Sequence, residues 1–250
     1  MSGHSKWASI KHKKGATDAK RGQLFTKLAR AIAIAAREGG GDPDANFTLA
    51  AAIEKAKSYS MPKDNIQRAI DRGAGVGGGD DQIERVVYEG YGAGGVAILV
   101  ETLTDNRNRT GSEVRNAFDK HKGSLGEPGS VAWLFEKKGV VLVDAERHGE
   151  EEMLVAIDAG ADDVAVDGDL LKVTSDPASL TGVRTALERA GVAIESSELV
   201  MEPKTVVEVE AETEARALVR LMEALDDHDD VEAVHANFDI AESLLEQATA

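Results

Sequence analysis

Between residues 83 and 238 the chain alternates short β-branched runs with amphipathic stretches, in an order that leaves few folds open. Short apolar runs bounded by turn residues read as strands, and apolar residues recurring at i, i+3 and i+4 read as helices. Residues 140–143 read as a strand, 150–159 as a helix, 163–166 and 170–174 as strands, 180–190 as a helix and 192–200 as a strand. That succession is β-α-β-β-α-β, the ferredoxin-like plan. The preceding residues 83–134 supply only β-β-α, too little to close a core. After Pro203, a strand at 206–209, a helix at 212–225 and a strand at 231–238 supply the missing half. The expected architecture is an α+β multidomain chain. A ferredoxin-like domain (135–204) is inserted into a discontinuous α/β domain (80–134 plus 205–250), each an antiparallel sheet with helices on one face. Aromatic residues make up only 4% of the chain, so Val, Ile, Leu and Ala must do most of the packing.

Residues 1–79 read as a basic arm followed by a helical domain. Thr17 and Asp18 are both good N-caps for a first helix reaching Arg37. In it Leu24, Leu28, Ala31, Ile32 and Ala35 form one apolar stripe. Gly39-Gly40-Gly41 stops it, and Asp42-Pro43-Asp44 turns the chain. A second helix over 46–59 buries Leu49, Ile53 and Ala56. A third starts at Ser60 with Pro62 in its first turn, buries Ile66, Ala69 and Ile70, and ends at Gly73. Gly73, Gly75 and Gly78 match G-x-G-x-x-G in form. The context is wrong, because a dinucleotide fingerprint follows a strand and opens a helix. Residues 73–79 are read as a linker.

Charge is divided unevenly along this chain. The first thirty-seven residues carry nine basic side chains (Lys6, Lys11, Lys13, Lys14, Lys20, Arg21, Lys27, Arg30 and Arg37) against Asp18 alone, a net +8. The whole chain is −16, so the remaining residues sum to −24. A basic segment on an acidic body is the electrostatic footprint of polyanion binding. Within the first helix Lys27, Arg30 and Arg37 fall in an arc of about 80° across from the apolar stripe, with Ile34 intruding. No acid lies between Asp18 and Glu38 to neutralise them along the helix. These nine residues are the expected nucleic-acid contacts. Trp7, between Lys6 and Lys11, either stacks on a base or pins the arm to its own domain.

A second candidate site is the polar run 104–110, where Asp105, Arg107 and Arg109 leave a strand. Arg107 and Arg109 would clamp a phosphate or carboxylate, or else pair with neighbouring acids while Asp105 holds the turn. Thr110 and Glu113 have capping-box spacing for the helix that follows, which runs to about residue 121. No recognition-helix pattern of base-reading Asn, Gln and Arg is evident, so weak sequence preference is expected.

Catalytic and metal signatures are missing. No phosphate-binding loop, H-E-x-x-H or G-x-S-x-G occurs, and the six His (4, 12, 121, 148, 228, 235) do not cluster with acids at ligand spacing. The acidic run 226–230 lacks the spaced ligands and central Gly of a calcium loop and reads as a solvated turn. With zero Cys there is neither thiolate chemistry nor Cys-ligated zinc. The expectation is a cytoplasmic monomer with no enzyme activity, cofactor or metal. No run reaches the length of a membrane span, and no apolar segment follows the N-terminal basic residues as a secretory signal requires.

Several stretches together resemble the YebC family. They are SGHSKWASIKHKKGATDAKRGQLFTKLAR at the start, SMPKDNIQRAI (60–70), YEGYGAGGVAILVETLTDNRNRT (88–110), GSVAWLF (129–135) and VHANFDI (234–240). The resemblance covers essentially the whole chain and implies a helical N-terminal domain with two α/β domains, one inserted in the other. Members are commonly described as DNA-binding transcriptional regulators, and others act on translating ribosomes at consecutive prolines. The implied partner is therefore DNA, with ribosomal RNA and transfer RNA on the ribosome as the alternative. Thr48 and Ala50 stand where the family often carries basic residues in its second helix.

Overall fold

The computed structural model describes residues 18–75 and 83–249. They divide into two compact units. One holds 24–75 and 137–201. The other holds 83–136 and 202–249 with the start of the first helix, up to residue 23.

In the first of these units, α1 (Asp18–Gly39), α2 (Phe47–Ser58) and α3 (Lys63–Gly73) pack around Leu28, Ile32, Leu49, Ile53, Ala56, Ile66 and Ile70. The expected stripe of α1 is buried at Leu28, Ile32 and Ala35, while Leu24 and Ala31 are only half-buried. Ala33, Ile34 and Ala36 are buried as well, so residues 32–36 are enclosed on more than one face. Close helix approach contributes to this, because a Cβ on Gly73 would lie 2.1 Å from the carbonyl oxygen of Ala33. Asn46 makes the corner between α1 and α2. Its Oδ1 accepts from Leu49 N (3.1 Å), and its Nδ2 donates to the carbonyls of Ala35 (2.8 Å) and Gly40 (2.9 Å). One buried amide thus serves the orphan groups of a helix start and a helix end. The third helix begins later than the sequence suggests. Ser60 has φ +59 and donates its N–H to Lys57 O, closing α2, and Pro62 stands at the N-cap of α3.

The same unit carries the ferredoxin-like sheet. Its strands are β4 (Phe135–Asp144), β5 (Ala161–Asp167), β6 (Leu170–Ser175) and β7 (Ile194–Pro203), in the order β5-β6-β4-β7. The β4/β6 and β5/β6 pairs are antiparallel. Val141, Val143, Leu171 and Val173 face Met153, Val183 and Leu187 from α5 (Leu154–Asp158), its preceding 3-10 turn and α6 (Leu180–Arg189). The helix expected over 150–159 is that 3-10 turn running into α5. Glu54 of α2 pairs with Arg184 of α6, and Lys55 Nζ lies 2.8 Å from Glu198 Oε2 of β7. Burial alone would raise the Glu54 carboxyl. Lys57 and Arg184 outweigh it and hold the group below its ordinary range.

In the other unit, β1 (Glu84–Tyr91) and β2 (Ala97–Thr104) form an antiparallel hairpin in register from Glu84↔Thr104 to Tyr91↔Ala97. Its turn needs positive φ at Gly94 and Gly95. β3 (Ser124–Leu125) and β9 (Val231–Ala236) complete a sheet of order β3-β1-β2-β9. α4 (Arg107–Lys120) and α7 (Glu212–Asp226) pack Val114, Phe118, Leu218, Leu221 and Leu225 into one core with Ile98, Val100 and Val234. The strands expected at 206–209 and 231–238 close differently from the simple β-α-β reading. β8 (Val207–Glu208) pairs in parallel with β10 (Phe238–Asp239), separately from the four-stranded sheet. Buried Asn237 makes the break. Its Oδ1 accepts from Ala97 N (2.7 Å), while its backbone oxygen accepts from Val207 N (2.7 Å). A last helix, α8 (Glu242–Thr249), adds Leu245 to the core.

Candidate nucleic-acid interface

Of the nine expected contacts, Lys6, Lys11, Lys13 and Lys14 lie outside the described residues. Lys20 and Arg21 belong to α1. Lys27 and Arg30 are half-buried on α1, and Arg37 is exposed in its last turn, where the helix dipole favours a cation. Each of these three takes part in an interaction of its own within the fold. Lys27 and Arg30 are therefore partly embedded in the structure as well as cationic.

The run 104–110 is mostly not a loop. Asn106 is the N-cap of α4 and its Oδ1 accepts from Arg109 N (3.1 Å), so Arg107 to Thr110 are its first turn. The capping box expected at Thr110 and Glu113 gives way to this simple cap four residues earlier, because Thr110 has a different task. Its hydroxyl donates to Asp230 Oδ2 at 2.7 Å. Arg109 Nη2 donates to the same oxygen at 2.7 Å and to Asp105 Oδ1 at 2.9 Å. Asp230 in turn strengthens Arg109's hold on its proton. The Asp230 side chain is only 4% exposed, so these donors satisfy a buried carboxylate. Asp230 N donates to His228 Nδ1 (3.1 Å), which places the imidazole proton on Nε2, 2.7 Å from Glu113 Oε2. The last residue of the acidic run 226–230 is thus an anchor for α4, not part of a solvated turn.

This geometry brings Asp105 and Arg109 together but leaves Arg107 apart. Arg107 is exposed and its Nη1 lies 3.8 Å from Glu84 Oε2. The two guanidinium groups do not converge on one point. Instead an open groove of about 400 Å³ runs beside α4, lined by Arg107, Asn108, Ser112, Arg115 and Asn116 and walled by Tyr88 of β1. Asn108, Ser112, Arg115 and Asn116 follow i, i+4, i+7 and i+8 spacing and so share one helix face. The Tyr88 hydroxyl donates to Arg107 O (3.1 Å), tying the strand to the start of the helix. Sequence reading missed this polar face because it treated the first turn of α4 as loop. The helical spacing was the available signal. Chemically the face offers guanidinium and amide donors suited to phosphate oxygens and base edges, with the Asp119 carboxylate at its far end. Among the described residues no group of three or more His, Asp or Glu is placed to hold a metal, and no helix is long and apolar enough to cross a membrane.

Helical bundle, inserted ferredoxin-like sheet and discontinuous α/β unit define an α+β multidomain protein of the kind the sequence order implied. Comparison with known proteins narrows that class. The model of the TACO1/YebC N-terminal domain matches residues 5–76, and that of the TACO1/YebC second and third domain matches residues 83–238. The chain belongs to this family. A probable transcriptional regulatory protein of Rubrobacter xylanophilus is 58% identical over 246 residues, covering 98% of each chain. One from Desulfotalea psychrophila is 53% identical over 248 residues, covering 99% of each. The crystal structure of a conserved hypothetical protein from Aquifex aeolicus is similar with a TM-score of 0.80 at 47% identity, over 90% of this chain and 93% of that one.

Proposed function

We propose that the protein is a non-enzymatic, nucleic-acid-binding regulator of gene expression that acts on DNA as a cytoplasmic monomer. The observation that carries this reading is the division of charge, +8 on residues 1–37 against −24 on the rest. Relatives more than half identical over nearly their whole length are named probable transcriptional regulatory proteins, which supports the same reading. In it, residues 1–79 grip phosphates, releasing counterions, while the net negative charge of domains 80–134 plus 205–250 and 135–204 keeps most of their surface off the backbone and presents a partner surface, with local polar or basic faces as the exceptions. Phosphate contacts position the protein, and the Asn108–Asn116 face of α4 is the place where bases would be read.

Binding through about six phosphates gives a slope of log affinity against log salt near −5 on duplex DNA. Replacing Lys6, Lys11, Lys13 and Lys14 with Glu is expected to flatten that slope and weaken binding at least tenfold. These four are chosen because Lys27 and Arg30 are half-buried. Unchanged affinity in this variant rejects the arm as the contact. Crosslinking in cells followed by sequencing of the attached nucleic acid identifies the target, and reads confined to ribosomal RNA would replace DNA by the ribosome.

A further inference from the structure

A loop outside the basic segment is built with unusual rigidity around a buried carboxylate. Glu89 on β1 is 7% exposed. Its Oε1 accepts from Gly129 N (2.6 Å), and its Oε2 accepts from both Val131 N and Ala132 N (2.7 Å each). Its own backbone oxygen accepts from Gly126 N (2.7 Å). Burial by itself would raise this carboxyl, but the three N–H donors prevail and hold it below the ordinary glutamate range. Residues 126–132 are therefore pinned at both ends and in the middle.

Two aromatic rings bond to the pinned loop, Tyr91 from the end of β1 and Trp133 from the turn that follows the loop. The Tyr91 hydroxyl donates to Ser130 O at 3.0 Å, and Trp133 Nε1 donates to the same oxygen at 3.1 Å. The polar tips of both rings thus meet at one carbonyl. Trp133 is 66% exposed and Tyr91 37%. One cation bonds the Trp133 backbone, and a second lies near Tyr91 through the strand pairing. Lys204 donates through Nζ to Trp133 O (3.2 Å) and through its backbone N to Leu134 O (2.8 Å). Exposed Lys122 lies two residues before Ser124, the strand partner of Tyr91. The loop's aliphatic residue, Val131, is fully buried, and its exposed neighbours are Glu127, Pro128 and Gly129.

We propose that Tyr91 and Trp133 form a stacking platform for unpaired nucleobases, with Lys204 and Lys122 facing the adjoining phosphates. Flat exposed rings flanked by ammonium groups are the combination that holds single strands, because every base has a π-face and every linkage a charge. Locking the indole through its own hydrogen bond and the Glu89-held loop reduces the ordering cost of binding. The ligand class rests on the nucleic-acid reading above, but the surface is independent of the arm, so the two are separable. The protein would then carry one duplex-tolerant electrostatic contact and one contact selective for single strands.

The test uses the full chain with Trp7→Phe, which leaves Trp133 as its sole tryptophan. A twelve-nucleotide oligouridylate is expected to quench its fluorescence, and a duplex of equal length is not. By anisotropy of the labelled strands, Trp133→Ala and Tyr91→Ala should weaken single-strand binding about five- to hundredfold and duplex binding less than twofold. Trp133→Phe should retain most of the affinity. The four-lysine arm variant should weaken both ligands. Unchanged single-strand affinity in Trp133→Ala, with the arm variant still impaired, overturns the platform and leaves the arm assignment standing. Equal loss on both ligands also overturns it, by giving Trp133 a purely structural role. Failure of the parent chain to bind either nucleic acid overturns both readings.

Discussion

Replacing Glu89 by Gln changes one atom type at the centre of the 126–132 loop and leaves the volume almost unchanged. If the amide oxygen takes the place of Oε2, the bonds from Val131 and Ala132 survive but lose their charge. The amide nitrogen then faces Gly129 N, donor against donor, where 2.6 Å now separates donor and acceptor. Bonds to a charged acceptor are worth about 1 kcal/mol more than neutral ones, and an orphaned donor costs about 1–3 kcal/mol. Two weakened bonds and one orphan sum to about 3–5 kcal/mol. In urea, monitored by Trp133 fluorescence in a Trp7→Phe background, that moves the transition midpoint of this unit down by about 1–2 M. Glu127→Gln, an exposed change in the same loop, should move it hardly at all. The pH dependence carries a definite sign. Because the folded carboxyl is held low, its stabilisation is fully present above about pH 4.5 and is lost as pH falls through the folded value. The gap between the parent and Glu89→Gln should therefore be constant near neutrality and narrow in acid. A gap below about 0.5 kcal/mol at pH 7, or one that widens in acid, would refute the view that this carboxylate holds the loop.

Thr110→Val removes the hydroxyl that donates to buried Asp230 at 2.7 Å and keeps the shape. It should destabilise the same unit by about 1–3 kcal/mol in urea unfolding, and an effect within error would show that Arg109 and the Thr104 hydroxyl suffice for Asp230. Gly73→Ala brings a methyl to 2.1 Å from Ala33 O and should cost about 1–3 kcal/mol in thermal unfolding of the helical part. Gly41→Ala, whose nearest neighbour would be at an ordinary 3.4 Å, is the near-neutral comparison.

The apolar periods of α1, α2, α3 and the inserted β-α-β-β-α-β segment were legible because each is a local property. Leu49, Ile53 and Ala56 are spaced as one helix face whatever lies around them, and all three are buried. Helix starts were less legible where a cap has a competing partner. Thr110 has capping-box spacing, yet Asn106 caps α4, since Thr110's oxygen is needed by an aspartate 120 residues away. The second candidate site was half legible for the same reason. Asp105 and Arg109 do meet, but Arg109 also closes on Asp230, and the groove beside α4 is lined by Arg107 and Arg115 instead. Nothing near Tyr91 or Trp133 in sequence signals that both rings bond one carbonyl.

By itself the sequence determined the α+β class and the concentration of positive charge at one end of an acidic chain, since composition and short-range periodicity need no knowledge of neighbours, and its colinear motifs carried the resemblance to the family. Only the tertiary structure decided that Asn237 splits the last strand between two ladders, that Asp230 is an anchor, and that Glu89 holds an aromatic loop open to solvent. Each of those depends on burying a polar group. A buried polar group must find its partners wherever the folded chain brings them, at sequence separations that no local pattern records.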